Sequence, residues 1–221
     1  MSKTTIVTGP AGSGKTEFCV NLALSLRAQT NQTVYIADLD VVNPYFRSRE
    51  KREALKQHGI EIVGDAMPED RGRDIPAVSF GFLPLIEAGE EVILDLAGGA
   101  IGLNLLADCY ERLGAFAFLC VLNLYREETN TKGKMIRFLA EIHASGKLEV
   151  TGLVNNSHML HHTGPEHVRK GQELILEVSN ALGIPLTYTQ VKRQIFEELK
   201  DEIQSEHVLI FETLQMRENW Q

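Results

Sequence analysis

Thr5-Ile6-Val7-Thr8-Gly9-Pro10-Ala11-Gly12-Ser13-Gly14-Lys15-Thr16 is the stretch that decides how this chain is read. Gly9 to Thr16 fits the pattern G-x-x-x-x-G-K-[ST], in which glycines let successive backbone N–H groups turn inward around a polyphosphate. A spacing match alone says little, so the flanks matter. Thr5 to Thr8 predict a strand entering the loop, and Phe18, Leu22 and Leu26 recur at helical spacing after it. Strand, loop and helix in that order put the positive end of a helix dipole against the phosphates. Lys15 then reaches the terminal phosphates as a point charge, and Thr16 offers its hydroxyl to Mg²⁺. The candidate phosphate ligands are Gly9, Pro10, Ala11, Gly12, Ser13, Gly14, Lys15 and Thr16, with Glu17 in the first helical turn.

Outward from this loop, short apolar runs alternate with helix-period segments, the rhythm of βα units around a parallel sheet. The runs are Thr5-Thr8, Val34-Ala37, Ile60-Val63, Val92-Leu96, Ala115-Leu122, Val150-Val154 and Leu186-Val191. The clearest helix is expected over Glu166-Leu182, with Val168, Leu174, Ile175, Val178, Ala181 and Leu182 on one face and Gly183 and Pro185 as the stop. The predicted fold is α/β: a mostly parallel sheet of seven or eight strands with helices on both faces. At 221 residues the chain reads as a single nucleotide-binding domain over 1–221.

Composition narrows the function classes. With 43% apolar and 24% charged residues the chain is globular, and its net charge of −8 disfavours nucleic acid or an anionic membrane as partner. Cys19, Cys109 and Cys120 form no C-x-x-C pair and read as small core residues. No apolar run is long enough for a signal peptide or a span, so a cytoplasmic location is expected.

A phosphate loop needs an acidic partner for its metal. Glu91-Val92-Ile93-Leu94-Asp95-Leu96-Ala97-Gly98-Gly99 is an apolar run ending in Asp95, and the glycines after it, Gly98 first, allow a backbone N–H close to a γ-phosphate. Val34-Tyr35-Ile36-Ala37-Asp38-Leu39-Asp40 places two carboxylates on one side of an extended segment. Thr16, Asp38 and Asp95 are the expected metal set. Lys15, Asp38 and Asp40 are the expected catalytic set, with Asp40 on the attacking water. A purely structural carboxylate pair is the other reading.

Together the loop, the segment Asp38-Leu39-Asp40-Val41-Val42-Asn43-Pro44-Tyr45-Phe46-Arg47 and Asp95-Leu96-Ala97-Gly98 resemble the SIMIBI class of P-loop NTPases. The Asp-x-Asp segment is similar to that of MinD/ParA-type ATPases, the CobQ/CobB/MinD/ParA nucleotide-binding domains, while the Gly9-Thr16 loop is closer to GPN-loop GTPases. The resemblance implies Mg²⁺-dependent hydrolysis and nucleotide-controlled dimerisation. It also implies that Asp38, Asp40 and Asn43 belong to one switch segment and Asp95 to Gly99 to the other, with Asp95 as the Walker B carboxylate. Pro10 stands where the MinD/ParA type carries a second lysine, and the chain contains no Gly-Pro-Asn tripeptide.

Gly152-Leu153-Val154-Asn155-Asn156-Ser157-His158 falls where such folds present a base-reading segment. Guanine is normally read by Asn-Lys-x-Asp. With Asn155 at the first position, His158 stands at the aspartate and supplies no carboxylate for guanine N1 and N2. ATP is therefore expected over GTP, with an amide of Asn155 or Asn156, the first by preference, on the adenine edge. The expected protein is a Mg-ATP switch with a homodimeric state and an unidentified protein client. A small-molecule ligase or kinase on the same fold and a GTP-dependent metallochaperone are the alternatives.

Other features carry less. His158, His161, His162 and His167 are a possible metal cluster or plain polar surface. Cys109 is a buried residue rather than a cluster ligand. Arg47, Arg49, Lys51 and Arg52 interleave with Glu50 and Glu53 as a solvated helix face. Gly64-Asp74 is a surface loop or a substrate loop presenting Arg71 or Arg73. The C-terminal segment around Val208-Phe211 is expected to dock on the domain.

Overall fold

The computed structural model describes residues 3–40, 51–63, 80–145 and 148–216. Asn43, Arg47, Arg49, Glu50 and the Gly64-Asp74 loop lie outside the described residues. The eight strands are β1 Thr4–Thr8, β2 Val34–Leu39, β3 Ile60–Val63, β4 Glu91–Leu96, β5 Phe116–Leu122, β6 Gly152–Asn155, β7 Leu186–Lys192 and β8 His207–Phe211. They form one sheet in the order β3-β2-β4-β1-β5-β6-β7-β8, and every pair in it is parallel. β8 is the strand that the sequence reading took for a docking segment.

Among the described residues seven α-helices connect the strands: α1 Lys15–Thr30, α2 Arg52–Gln57, α3 Leu83–Glu87, α4 Ala100–Asn104, α5 Lys132–Ser145, α6 Pro165–Leu182 and α7 Arg193–Leu199. Successive strand side chains point to opposite faces, and the core is accordingly split in two. On one face Ile6, Val92, Leu94, Leu96, Phe118, Cys120 and Leu122 pack with Met135, Leu139 and Ile142 of α5 and Ile175 and Val178 of α6. On the other, Val7, Ile93, Leu119 and Val121 pack with Phe18, Cys19 and Leu22 of α1. Each fully buried Leu, Ile or Phe contributes about 1.5–3 kcal/mol, so central strands covered on both sides make a stiff platform.

α6 matches its sequence signals: Gly164 and Pro165 open it, and Gly183 in the left-handed region at φ 69° closes it. Its buried face is Val168, Gly171, Gln172, Ile175 and Val178, whereas Leu182 is 40% exposed. The apolar stripe drifts outward in the last turn. All three cysteines are buried and free.

The chain moves from β1 out to β2 and β3, returns to β4 beside β1, and then proceeds from β5 in the other direction. A crevice opens at the carboxyl ends of strands where the winding reverses, which is where open α/β sheets bind ligands. The Gly9-Thr16 loop leaves the carboxyl end of β1 at this point.

Candidate functional site

The loop has the backbone that its glycines predict. Gly9, Gly12 and Gly14 have φ of 152°, 69° and 89°. A Cβ at Gly14 would collide with Asn156 Nδ2, and one at Gly9 with the carbonyl oxygen of Val121. These positions therefore need glycine for space as well as for angle. Lys15 opens α1, is 7% exposed, and donates from Nζ to the carbonyl oxygen of Pro10 at 3.2 Å. An ammonium folded back over the loop marks where a phosphate oxygen would compete for it.

Beyond the loop stand the carboxylates. Asp38 and Asp95 are register partners across β2 and β4, 4% and 1% exposed, and Asp40 follows β2 at 6%. Burial pushes the Asp95 carboxyl up to about 7; Thr16 and Lys15 pull it down, while Asp38 and Asp40 push it up. The Thr16 hydroxyl is near enough to act on that value without the alignment of a full hydrogen bond. Both Asp95 oxygens are buried with no hydrogen-bond partner among the described residues. Gly98 closes the group: a Cβ there would lie 2.8 Å from the Gly9 carbonyl oxygen and 3.7 Å from Lys15 Nζ. The structure thus brings Lys15, Thr16, Asp38, Asp40, Asp95 and Gly98 to one mouth.

The Thr16 hydroxyl and the buried Asp95 carboxylate suit a hard divalent cation, because hydroxyl and carboxylate oxygens are the donors Mg²⁺ takes when water and phosphate complete its shell. No three His, Cys, Asp or Glu side chains among the described residues converge into a metal cage of their own. The histidine cluster follows the same rule. His167 Nδ1 accepts from the Gly164 N–H at 3.0 Å, His158 Nδ1 accepts from Leu160 N–H at 3.3 Å, and the His161 and His162 rings are tilted at 45° with centroids 3.9 Å apart. They serve the fold.

Asn155 and Asn156 separate sharply. Asn155 is fully buried; its Nδ2 donates to Val168 O at 3.1 Å and its Oδ1 accepts from Ser157 N–H at 3.2 Å. It does not line the cavity beside the loop, and its amide holds β6 to α6. Asn156 does line the cavity, and its Nδ2 donates to Ser13 O at 2.7 Å. Its Oδ1 accepts from Gln190 Nε2 at 3.2 Å. A relay from β7 through β6 therefore braces the phosphate loop.

The cavity holds about 400 Å³, a size at the lower end for small-molecule sites. Gly12, Lys15, Thr16 and Asp40 line its phosphate end, and Leu160, Val168, Val191, Ile195, Leu214 and Met216 give the rest an apolar wall. Gln190, 5% exposed, keeps Oε1 buried without a partner, and a ligand N–H would satisfy it. Glu17 plays a part that sequence reasoning missed. Its Oε1 accepts from Gln215 N–H at 2.8 Å and its Oε2 from Met216 N–H at 2.9 Å, latching the segment after β8 across the start of α1.

Arg126 and Gln190 were also missed. Both belong to carboxyl-terminal parts of strands or the turns after them, which a parallel sheet gathers at one edge, and that rule was the signal available for finding them.

No protein-family model matches the chain and no curated protein matches it. Among solved structures it is similar to FtsY from Mycoplasma mycoides, at 17% identity and TM-score 0.53, covering 83% of this chain and 58% of that one. It is similar to the signal recognition particle receptor FtsY from Elizabethkingia anophelis, at 20% identity and TM-score 0.53, covering 86% and 58%. The cell division protein FtsY from Thermotoga maritima follows at 20% identity and TM-score 0.51, covering 85% and 61%. The chain spans about three-fifths of the length of these proteins. Its eight-stranded parallel sheet with a glycine-rich loop after β1 is an α/β fold shared with these FtsY structures.

Proposed function

We propose that the chain is a nucleoside-triphosphate-hydrolysing switch. The convergence of Lys15, Thr16, Asp95 and Gly98 carries this reading: a glycine-rich loop, a lysine over it, and a buried carboxylate beside a hydroxyl, a donor pair suited to a cation. Backbone N–H groups of Gly12 to Thr16 and Lys15 Nζ bind the β- and γ-phosphates. Thr16, Asp95 and Asp38 hold Mg²⁺, which when bound neutralises phosphate charge. Asp40, at the cavity wall, orients the attacking water. Water oxygen bonds to the γ-phosphorus, the bridging P–O bond breaks with its electron pair going to the diphosphate, and the proton leaves with inorganic phosphate.

ATP is the nucleotide we propose, on one remaining ground. Of the cavity's carboxylates among the described residues, Glu17 is engaged by two backbone N–H groups and Asp40 stands at the phosphate end. None is placed at the base end to accept the paired N–H groups of guanine. Hydrolysis-linked homodimerisation and a protein client belong to the same proposal. No helix among the described residues is long and apolar enough to cross a membrane.

Displacement of a fluorescent nucleotide by ATP, GTP and their diphosphates tests binding and base together. Lys15→Ala should abolish affinity, and Asp40→Ala should retain it while losing turnover. Stronger displacement by GTP would overturn the adenine assignment, and normal turnover in Asp40→Ala would overturn the water assignment. Light scattering of Asp40→Ala in Mg-ATP, Mg-ADP and no nucleotide should show a dimer with ATP alone. An unchanged mass, with turnover only when a carboxylate or hydroxyl metabolite is added, would replace the switch by a transferase.

A further inference from the structure

The turn after β5 is built with unusual firmness for a surface connection. Asn123, fully buried, accepts at Oδ1 from Tyr125 N–H at 2.9 Å and from His158 N–H at 3.3 Å. Its carbonyl accepts from Arg126 N–H at 3.1 Å and from the Thr129 hydroxyl at 2.7 Å, and Thr129 N–H donates to Arg126 O at 3.0 Å. Leu124 N–H donates to Ser157 Oγ at 3.1 Å, tying the turn to the one after β6. The backbone of Arg126 is fixed from both sides.

What this fixture holds up is a guanidinium. A Cβ built on Gly12 would lie 3.3 Å from both Cζ and Nε of Arg126 and 3.6 Å from its Nη1, so the guanidinium sits in contact range over the middle of the phosphate loop. Arg126 lines the same cavity as Gly12, Lys15 and Thr16. Its Nε is buried with no hydrogen-bond partner, and no carboxylate among the described residues pairs with it. A guanidinium has five N–H donors and no way to shed its charge, and on this half-buried side chain the enclosed Nε–H lacks the acceptor that an anion oxygen would supply. It stands on the β5 side of β1, while Asp38 and Asp95 stand on the β2 and β4 side. A polyphosphate seated in the loop would lie between them.

We propose that Arg126 is a phosphate-contacting residue supplied by the same chain, donating to phosphate oxygens on the face opposite the metal-side carboxylates. The assignment rests on the nucleotide reading above. Planar, forked donors match phosphate oxygens bidentately, and a positive charge there offsets the charge that grows on the departing diphosphate. Gly12 is then required to be glycine for a second reason: a side chain would displace the guanidinium.

The test uses the full chain with Arg126→Ala and Arg126→Gln, the second keeping the stem and a planar uncharged group at the level of Nε in case truncation disturbs the turn. The probes are Mg-ATP, Mg-GTP, their diphosphates and inorganic tripolyphosphate, each displacing a fluorescent nucleotide. Both variants should bind the preferred triphosphate about 10- to 100-fold more weakly, lose tripolyphosphate competition by a similar factor, and turn over about 100-fold more slowly. Nucleotide affinity lost with tripolyphosphate competition unchanged would mean that Arg126 stacks on the base, and would overturn the proposal. Affinity and turnover within twofold of the unsubstituted chain would overturn it too. A chain that binds no nucleotide in either form defeats the nucleotide reading itself, a result distinct from both.

Discussion

Asn156→Ala is the substitution that most directly tests how the phosphate loop is held. Asn156 is 4% exposed, and its amide spends both ends on buried partners: Nδ2 on Ser13 O at 2.7 Å and Oδ1 on Gln190 Nε2 at 3.2 Å. Truncation leaves a carbonyl and an amide N–H unsatisfied, at about 1–3 kcal/mol each. Gln190 lines the cavity and has room to turn, so its share is recovered in part. A net loss of about 2–4 kcal/mol is expected, which for a chain of this size lowers Tm by roughly 5–15 °C. The backbone bond from Asn156 N–H to Leu122 O, at 2.9 Å, is untouched, so the sheet register stays. Urea denaturation should show a lower midpoint with an unchanged slope. Nucleotide affinity should fall as well, because Ser13 belongs to the loop that wraps the phosphates. A midpoint shift worth under about 0.5 kcal/mol, the size of an ordinary surface change, would refute the relay.

Three further outcomes follow from particular contacts. Asp95 has its folded pKa raised from 3.8 to about 7, so the folded state binds a proton that the unfolded state has released over that interval. Its contribution is present below the unfolded value and is lost as pH rises to about 7; Asp95→Asn should therefore gain stability over the unsubstituted, metal-free chain at pH 8 more than at pH 5, and an equal gain at both pH values in parallel urea titrations would contradict this. Gly98→Ala drives a Cβ to 2.8 Å from the backbone oxygen Gly9 O, so stopped-flow hydrolysis should slow at least tenfold and Tm should fall, overpacking costing about 1–3 kcal/mol; unchanged hydrolysis would show that the Gly98 contact is not needed. Glu17→Ala removes two acceptors from the segment after β8, and hydrogen exchange should become faster at the amides of Gln215 and Met216, with continued protection there as the contrary result.

The fold was legible because its signals were local and repeated. Thr5 to Lys15 names a strand, a loop and a helix start within a dozen residues, and Gly183 ends α6 by backbone angle alone. β8 was harder, since Val208 to Phe211 is a short apolar run between glutamates at the sheet edge, and its pairing with Tyr188 to Lys192 exists only in three dimensions. The different surroundings of Asn155 and Asn156 were not legible for a related reason. Neighbouring residues at a strand end face opposite ways, so one amide meets α6 and the other the phosphate loop, and composition does not reveal which. Asp38 and Asp95 were found because each ends an apolar run. Arg126 ends nothing, and its proximity to Gly12 is a contact between loops 114 positions apart that no periodicity records.

The latch at Glu17 also bears on the order in which the molecule is made. Met216 N–H bonds to a side chain 199 positions earlier, and Phe211, Leu214 and Met216 complete the cavity wall. The residues that begin the site are thus synthesised well ahead of those that finish it, 199 positions separating Glu17 from Met216. Contacts of such long range form late, after loop-closure entropy has been overcome. A growing chain carries the Gly9–Thr16 loop long before it has a walled pocket, so under the proposed function the capture of nucleotide would wait until the far edge of the sheet has formed.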